Sequence, residues 1–377
     1  MKKFKLAVLL LCCVLILAGC WDKVEIEDRI FVLGIGVDKA AEEDKKLPAD
    51  RYVINFASPI PGALKDGGAE TFTTYKTVSS IFSLGLNQMY ERMDKKPFFQ
   101  HTRIMIFGED LLKDDVLFRE MLDAVGRNHD SHRNMYVFVA PGKAEDVFKI
   151  KPKFSKLLAT YIAGIADNSQ YQSSIYKMPA YQLYNNLIDT DGDTVIPTLK
   201  ASKEEANVSG VGIIKNYKLI GYLEDEDTET LNWLNNKAKG GIIASQYNGV
   251  EIPYKYNDFS TKLSLEKVEG DKLYFTYDIV VEGSAEEYIW DENLMDASLL
   301  NKLQSTLEKK IESRSKSLIA KLQGEYKIDL LGVGEYLQKH HPDIYESIEK
   351  DYENYFANNM VFDIKPKVFI RRVGTIQ

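Results

Sequence analysis

The chain has 377 residues, 45% of them apolar and 28% charged, with a formal net charge of −8. This is the composition of a folded globular protein long enough for two or three domains, and its acidity makes nucleic acid and anionic lipid headgroups poor partners. All three cysteines, Cys12, Cys13 and Cys20, fall within the first twenty residues, which leaves the rest of the chain without a disulfide or a thiolate ligand for zinc.

The first element is a signal. Lys2, Lys3 and Lys5 form a basic start, and an unbroken apolar run follows from Leu6 to Leu17. That run is too short for the ~20 residues that span a bilayer, but it suits a secretory signal peptide. It closes on Leu17-Ala18-Gly19-Cys20. These four residues resemble the lipobox of bacterial lipoproteins, in which the cysteine sulfur is lipidated and the cysteine becomes the new N-terminus. Residues 1–19 are therefore expected to be removed and Cys20 to carry the lipid. Such a lipid holds a protein at a membrane without spanning it.

Residues 30–37 (IFVLGIGV) predict a buried strand ending in a glycine-bearing turn. Residues 51–57 and 70–78 predict two more strands, with a loop rich in proline and glycine at 58–68. Val78, Ile81, Phe82, Met89 and Met93 fall at helical spacing. RIMIFG (103–108) and NMYVFVAP (134–141) read as strands, separated by a helix marked by Val116, Leu117, Met121, Leu122 and Val125. Beyond Pro152, two amphipathic helices are expected, one over Phe154–Ile165 and one over Tyr181–Ile188. VIPTL is a strand, and VGIIKNYKLIGYL (211–223) a hairpin turning near Asn216-Tyr217. The acidic stretch EDEDTE (224–229) suits the N-terminal end of a helix, where negative charge meets the helix dipole. Residues 260–267 and 272–282 form a hairpin joined at Gly270-Asp271. Leu299, Leu303, Leu307, Ile311, Leu318 and Leu322 keep one apolar face of a long helix. Two short helices (331–340 and 342–357) and a final strand (VFDIKPKVFIRRV) complete the pattern.

This order predicts an α+β fold of three domains, each a mixed or antiparallel sheet packed by helices. The borders are a signal at 1–19, an N-terminal domain at 20–150, a middle domain at 151–248, and a C-terminal domain with the long helix at 249–377.

The motifs for chemistry are sparse. Gly34-Ile35-Gly36 is a fragment of G-x-G-x-x-G, with Lys39 where the third glycine belongs, so the glycines are read as a close backbone approach or a turn. His129 and His132 have the H-x-x-H spacing of a metal pair, but they sit in a stretch that reads as a helix end. Asp189, Asp191 and Asp193 suggest the start of a calcium loop that lacks its glutamate at the twelfth position. His340 and His341 precede Pro342 at a helix boundary. No pair of carboxylates stands out for general acid–base work. No catalytic residue, cofactor or metal ligand is assigned, and an enzyme is not expected.

Five stretches, in order, resemble the Ger(x)C family, the lipoprotein C subunits of nutrient germinant receptors in endospore-forming bacteria. They are CWDKVEIEDRIFVLGIGVD (20–38), QHTRIMIFGEDLLKDDV (100–116), SGVGIIKNYKLIGYLEDEDTETLNWLNNKAKGG (209–241), KLQGEYKIDLLGVGEYLQKHHPDIY (321–345), and the terminal strand ending in Gly374. The resemblance implies three α+β domains and a non-enzymatic subunit anchored through Cys20 at the outer face of the spore inner membrane. Its implied partners are an integral, transporter-like subunit and a second membrane subunit, which together sense nutrients and commit the spore to germinate. The competing expectation is a solute-binding lipoprotein that captures a nutrient itself. That class usually has two α/β lobes around a cleft, a pattern this sequence does not display.

Overall fold

Two neighbouring segments explain the largest layer of the molecule. In Ile104–Gly108 and Tyr136–Ala140, successive side chains are buried on alternate sides. Met105, Phe107, Val137 and Val139 belong to one apolar cluster, and Ile104, Ile106, Phe138 and Ala140 to another. A strand that is apolar on both faces requires cover on both. The structure, a computed structural model, describes residues 25–66, 70–127, 133–153, 155–285 and 297–373. Cys20, His129 and His132 lie outside them.

The strands in chain order are β1 (Arg29–Phe31), β2 (Gly34–Lys39), β3 (Tyr52–Pro59), β4 (Phe72–Ser79), β5 (Lys96–Phe98), β6 (Ile104–Gly108), β7 (Tyr136–Ala140), β8 (Thr194–Ala201), β9 (Ala206–Lys215), β10 (Lys218–Leu223), β11 (Gly241–Tyr247), β12 (Val250–Glu269), β13 (Lys272–Ala285) and β14 (Met360–Val373). The α-helices are α1 (Pro61–Asp66), α2 (Phe82–Asn87), α3 (Glu109–Leu112), α4 (Asp115–Arg127), α5 (Ala144–Val147), α6 (Leu158–Asp167), α7 (Ala180–Asp189), α8 (Asp225–Leu234), α9 (Ala297–Lys321), α10 (Val333–His340), α11 (Pro342–Ile348) and α12 (Tyr352–Asn359).

Eight strands form one mixed sheet in the order β10-β9-β8-β7-β6-β2-β3-β4. Helices α2, α3, α4 and α7 cover one face, and α5 and α6 the other. The sheet runs across residue 150, because β7 is joined to β8 through the parallel pair Val139↔Thr198. A second sheet has the order β11-β12-β13-β14, antiparallel except for the β13–β14 pair. It is covered on one face only. Leu273, Phe275, Tyr277, Ile279 and Val281 are buried along β13, together with Leu307, Ile311 and Leu318 of α9, whereas Lys262, Asp278 and Lys367 stand in solvent. Helix α8 lies between the two sheets and is buried from Thr228 to Leu234. A single apolar cluster runs through it from one sheet to the other.

The α+β class and the mixed and antiparallel sheets agree with the sequence. Several details differ. IFVLGIGV is two strands, β1 and β2, because the chain changes partner within it: the Val32 N–H still donates to Phe98 O of β5 (3.0 Å), whereas the Leu33 N–H donates to Ala57 O of β3 (2.9 Å). Gly34 and Gly36 therefore lie inside a strand, where a Cβ on Gly36 would come within 2.5 Å of the Phe148 ring; the close approach holds and the turn does not. The loop at 58–68 contains α1. Val78 belongs to β4, and the helix after it spans just Phe82–Asn87. Strand β11 and the first half of β12 were not foreseen. The helix expected over 342–357 is broken by a 3-10 turn at Glu349–Asp351.

Candidate functional site

Helix α8 starts with Asp225, Glu226 and Asp227 in its first turn, as the acidic stretch suggests. Glu229 breaks the pattern by turning inward. It lies one helical turn before Trp233 on the same face, and both side chains enter the gap between the sheets. The Glu229 carboxylate is bound on both oxygens. Tyr256 of β12 donates its hydroxyl to Oε1 (2.7 Å), and Arg314 of α9 donates from Nη2 to Oε2 (3.0 Å). Trp233 Nε1 donates to the Tyr256 oxygen (3.1 Å). Arg314 also donates to the Glu226 carbonyl (2.5 Å) and the Thr230 hydroxyl (3.2 Å), and its guanidinium lies 4.2 Å from the centre of the Trp233 ring. Trp233 stacks on Phe259 at 5.2 Å.

The two charges are nearly dry, with side-chain exposures of 8% for Glu229 and 13% for Arg314. Burial pushes the Glu229 carboxyl above its ordinary range. The Arg314 charge, the Tyr256 hydroxyl and the Arg314 hydrogen bond pull it back part of the way. Removing one partner from such a pair typically costs about 3–5 kcal/mol, because the other charge is left buried alone. Both carboxylate oxygens are already engaged, so the group is arranged to hold elements together. A residue larger than glycine at 241 would intrude, since its Cβ would lie 2.4 Å from the Tyr256 hydroxyl.

Further polar contacts brace the same joint. Asn232 donates to the Ser173 carbonyl (2.7 Å), and the Ser173 hydroxyl donates to Gly240 O (2.7 Å). The Thr261 hydroxyl donates to Trp233 O (2.7 Å), and Asn235 donates to Leu330 O (2.9 Å). Lys321 pairs with Asp227 at 2.9 Å. Helix α8 is thereby tied to the 168–173 segment, to β12 and to α9. Such a network fixes the relative position of the two sheets.

A second buried carboxylate lies at the far end of β2. Asp38 accepts from the backbone N–H of Ala144 (2.6 Å) and of Glu145 (3.0 Å), the first turn of α5. Burial raises its pKa to about 6, against the lowering effect of those two bonds. A Cβ on Gly108 would lie 2.0 Å from its Oδ1, so glycine there makes room for the carboxylate.

The residues singled out by sequence are scattered. Asp193 accepts from the Asn216 N–H (2.8 Å) and anchors the β9–β10 turn, while Asp189 and Asp191 are exposed. That turn has φ of +50° at Asn216 and +63° at Tyr217. The left-handed conformation is strained for a tyrosine, which is held by its hydroxyl bond to Leu187 O (3.2 Å) and by Arg119, 3.9 Å from its ring centre. His340 packs on Tyr336 and His341 precedes α11, at the helix boundary expected of them. Among the described residues, no group of three or more His, Cys, Asp or Glu side chains could hold a metal ion. Sequence reasoning missed Glu229, Arg314 and Asp38 as buried groups. The Glu229–Trp233 spacing was a visible clue, whereas Arg314, 85 positions from Glu229, was not.

The whole length of this architecture has known counterparts. The family model described as the spore germination protein N-terminal domain matches residues 22–201, and the C-terminal model described as spore germination B3/GerAC like matches 209–374. Three curated relatives come from Bacillus subtilis (strain 168). Spore germination protein B3 is 26% identical, covering 96% of both chains. Spore germination protein A3 is 24% identical over 96% of both. Spore germination protein KC is 24% identical over 99% of this chain and 96% of its own. The crystal structure of the GerBC protein shares the fold, with a TM-score of 0.59 at 21% identity, covering 90% of this chain and 97% of that one. Taken in tandem, the two family models run from just beyond Cys20 to the end of β14, and the chain belongs to the GerAC-like family of spore germination proteins.

Proposed function

We propose that this protein is the lipid-anchored C subunit of a spore nutrient germinant receptor, a non-enzymatic interaction protein needed for nutrient-triggered germination. It is held through Cys20 at the outer face of the spore inner membrane, beside an integral transporter-like subunit and a second membrane subunit. The observation that carries this reading is the placement of the lipobox. The family match begins at residue 22, two positions after Cys20, so lipidation at Cys20 would leave the family region as the exported protein. Among the described residues no helix is long and apolar enough to cross a membrane, which suits attachment by a lipid. Two acyl chains hold a protein where one binds marginally, and anchoring raises the effective concentration of weak partners. The braced joint at α8 supports the same reading, because a body of fixed shape presents its surfaces to partners in a constant arrangement.

The test is Cys20→Ala in the native spore, scored by membrane fractionation, receptor assembly and nutrient-triggered germination. The expected result is loss of the protein from the membrane fraction together with loss of germination through one receptor. Departure from the membrane with germination intact would overturn the receptor role. A nutrient titration tests the solute-binding alternative, since a direct binder is stabilised by RT ln(1 + [L]/Kd).

A further inference from the structure

The net charge of −8 is unevenly spread. Residues 149–156 read KIKPKFSK, with four lysines and no acid. This segment leaves α5 after Phe148, whose ring lies against Gly36, and runs alongside the start of β4. The Thr71 hydroxyl donates to Lys156 O, and Lys151 pairs with Glu70 at 3.1 Å. Between the segment and residues 70–74 lies an open groove of about 780 Å³. The four lysines are exposed. Lys149 pairs with Asp146 (2.7 Å), Lys153 pairs with Glu204, and the Lys156 ammonium rests on Leu64 O (3.3 Å). Exposed pairs of this kind are weak and exchange readily for another anion.

The position of the segment matters as much as its charge. In the large sheet Gly34 is level with Ala57 and Ile104, Ala57 with Thr74, and Pro59 with Phe72. The groove is therefore at the end of the sheet where β2 begins. The preceding chain leaves the fold at this end through β1, and Glu25 is five residues from Cys20. Five extended residues reach at most ~18 Å. Residues 20–25 carry Asp22, Lys23 and Glu25, a net charge of −1, so the leash by itself gains nothing from an anionic surface. We propose that the groove between β4 and residues 149–156 is a docking face for anionic phospholipid headgroups, which turns this end of the large sheet toward the membrane. The proposal rests on anchoring at Cys20, which brings the face within reach of the bilayer. The lysines set the orientation and the lipid supplies the attachment.

The absence of cysteine beyond Cys20 allows a single added cysteine to be labelled. The lipidated full-length protein would carry a fluorophore at Gly62→Cys, in α1 just beyond the groove end of β3 where a Cβ meets nothing within 4 Å, or at Lys46→Cys, at the opposite end of the sheet. Vesicles would be phosphatidylcholine alone or equal parts phosphatidylcholine and phosphatidylglycerol, each with a headgroup-bound quencher. The expected result is stronger quenching at 62 on the anionic vesicles than on the neutral ones, and no such difference at 46. Replacing all four lysines with glutamine should remove the difference while flotation with neutral vesicles is unchanged. Should that variant misfold, Lys153→Glu alone should reduce the difference. Equal quenching at 62 on both vesicles, or a difference that survives the lysine replacements, would overturn the proposal. Failure to float with neutral vesicles would instead overturn anchoring at Cys20. In that case binding of the unlipidated chain to the anionic vesicles decides the role of the lysines. Each Lys→Gln should weaken it about fivefold at low salt, and binding that is absent or indifferent to the replacements would overturn the docking face.

Discussion

Asp38, at the far end of the large sheet, and Glu229, at the joint between the sheets, are both buried carboxylates, yet Asp38 meets two backbone N–H groups and Glu229 meets a guanidinium. The two arrangements place their charge in different hands. At Asp38 the partners are peptide dipoles that stay in place whatever the side chain becomes. At Glu229 the partner is itself a charge that cannot be left unpaired. The first region should therefore respond to protons and the second to the loss of a residue.

Breaking the joint gives the largest effect. Arg314→Met should destabilise the protein by about 3–5 kcal/mol in denaturant unfolding, and adding Glu229→Gln should recover part of that loss. Strictly additive losses would show that the pair is uncoupled. Next in size is the proton response at Asp38. Its folded pKa of about 6 is above the ordinary aspartate value of 3.8. Its contribution to stability is thus fully present below about pH 4 and is lost as pH rises through about 6. A shift of this size amounts to about 2–3 kcal/mol. Melting curves from pH 4 to 7 should show Asp38→Asn without this slope relative to the parent, and parallel curves would break the contrast with Glu229. Gly241→Ala crowds the Tyr256 hydroxyl and should cost about 1–3 kcal/mol, whereas Gly62→Ala, whose Cβ would meet nothing within 4 Å, should be near neutral. The smallest effect is expected at the exposed Asp123–Arg127 pair of α4, where Asp123→Asn should leave the denaturation midpoint unchanged.

Elements whose pattern is local were legible. The spacing of Leu117, Met121, Leu122 and Val125 gave α4, and the leucine stripe gave α9, because a helix face is written in neighbouring turns. The two-residue turn at Asn216-Tyr217 was also visible. An equally clear signal was overlooked at Asn248-Gly249, whose positive φ values (+48° and +82°) close the β11–β12 hairpin. The polar residues of IIASQY hid the alternation around it. What the sequence could not reveal is pairing over distance. Nothing in YVFVA or VIPTL announces that β7 meets β8 and carries one sheet past residue 150. Likewise nothing in the acidic EDEDTE stretch separates the inward Glu229 from its solvated neighbours, since the difference is made by Tyr256 and Arg314.

The parallel pairing of β13 with β14 bears on how the protein is made. The β12–β13 hairpin is local and can form within microseconds, but the strand that completes its edge comes after α9 to α12. Long-range parallel contacts of this kind form slowly. During that interval the edge of β13, with Ile279, Val280 and Val281 in succession, is an open template for another chain. Folding of this protein thus passes through a vulnerable period, and a chaperone that shields a bare strand edge would act there.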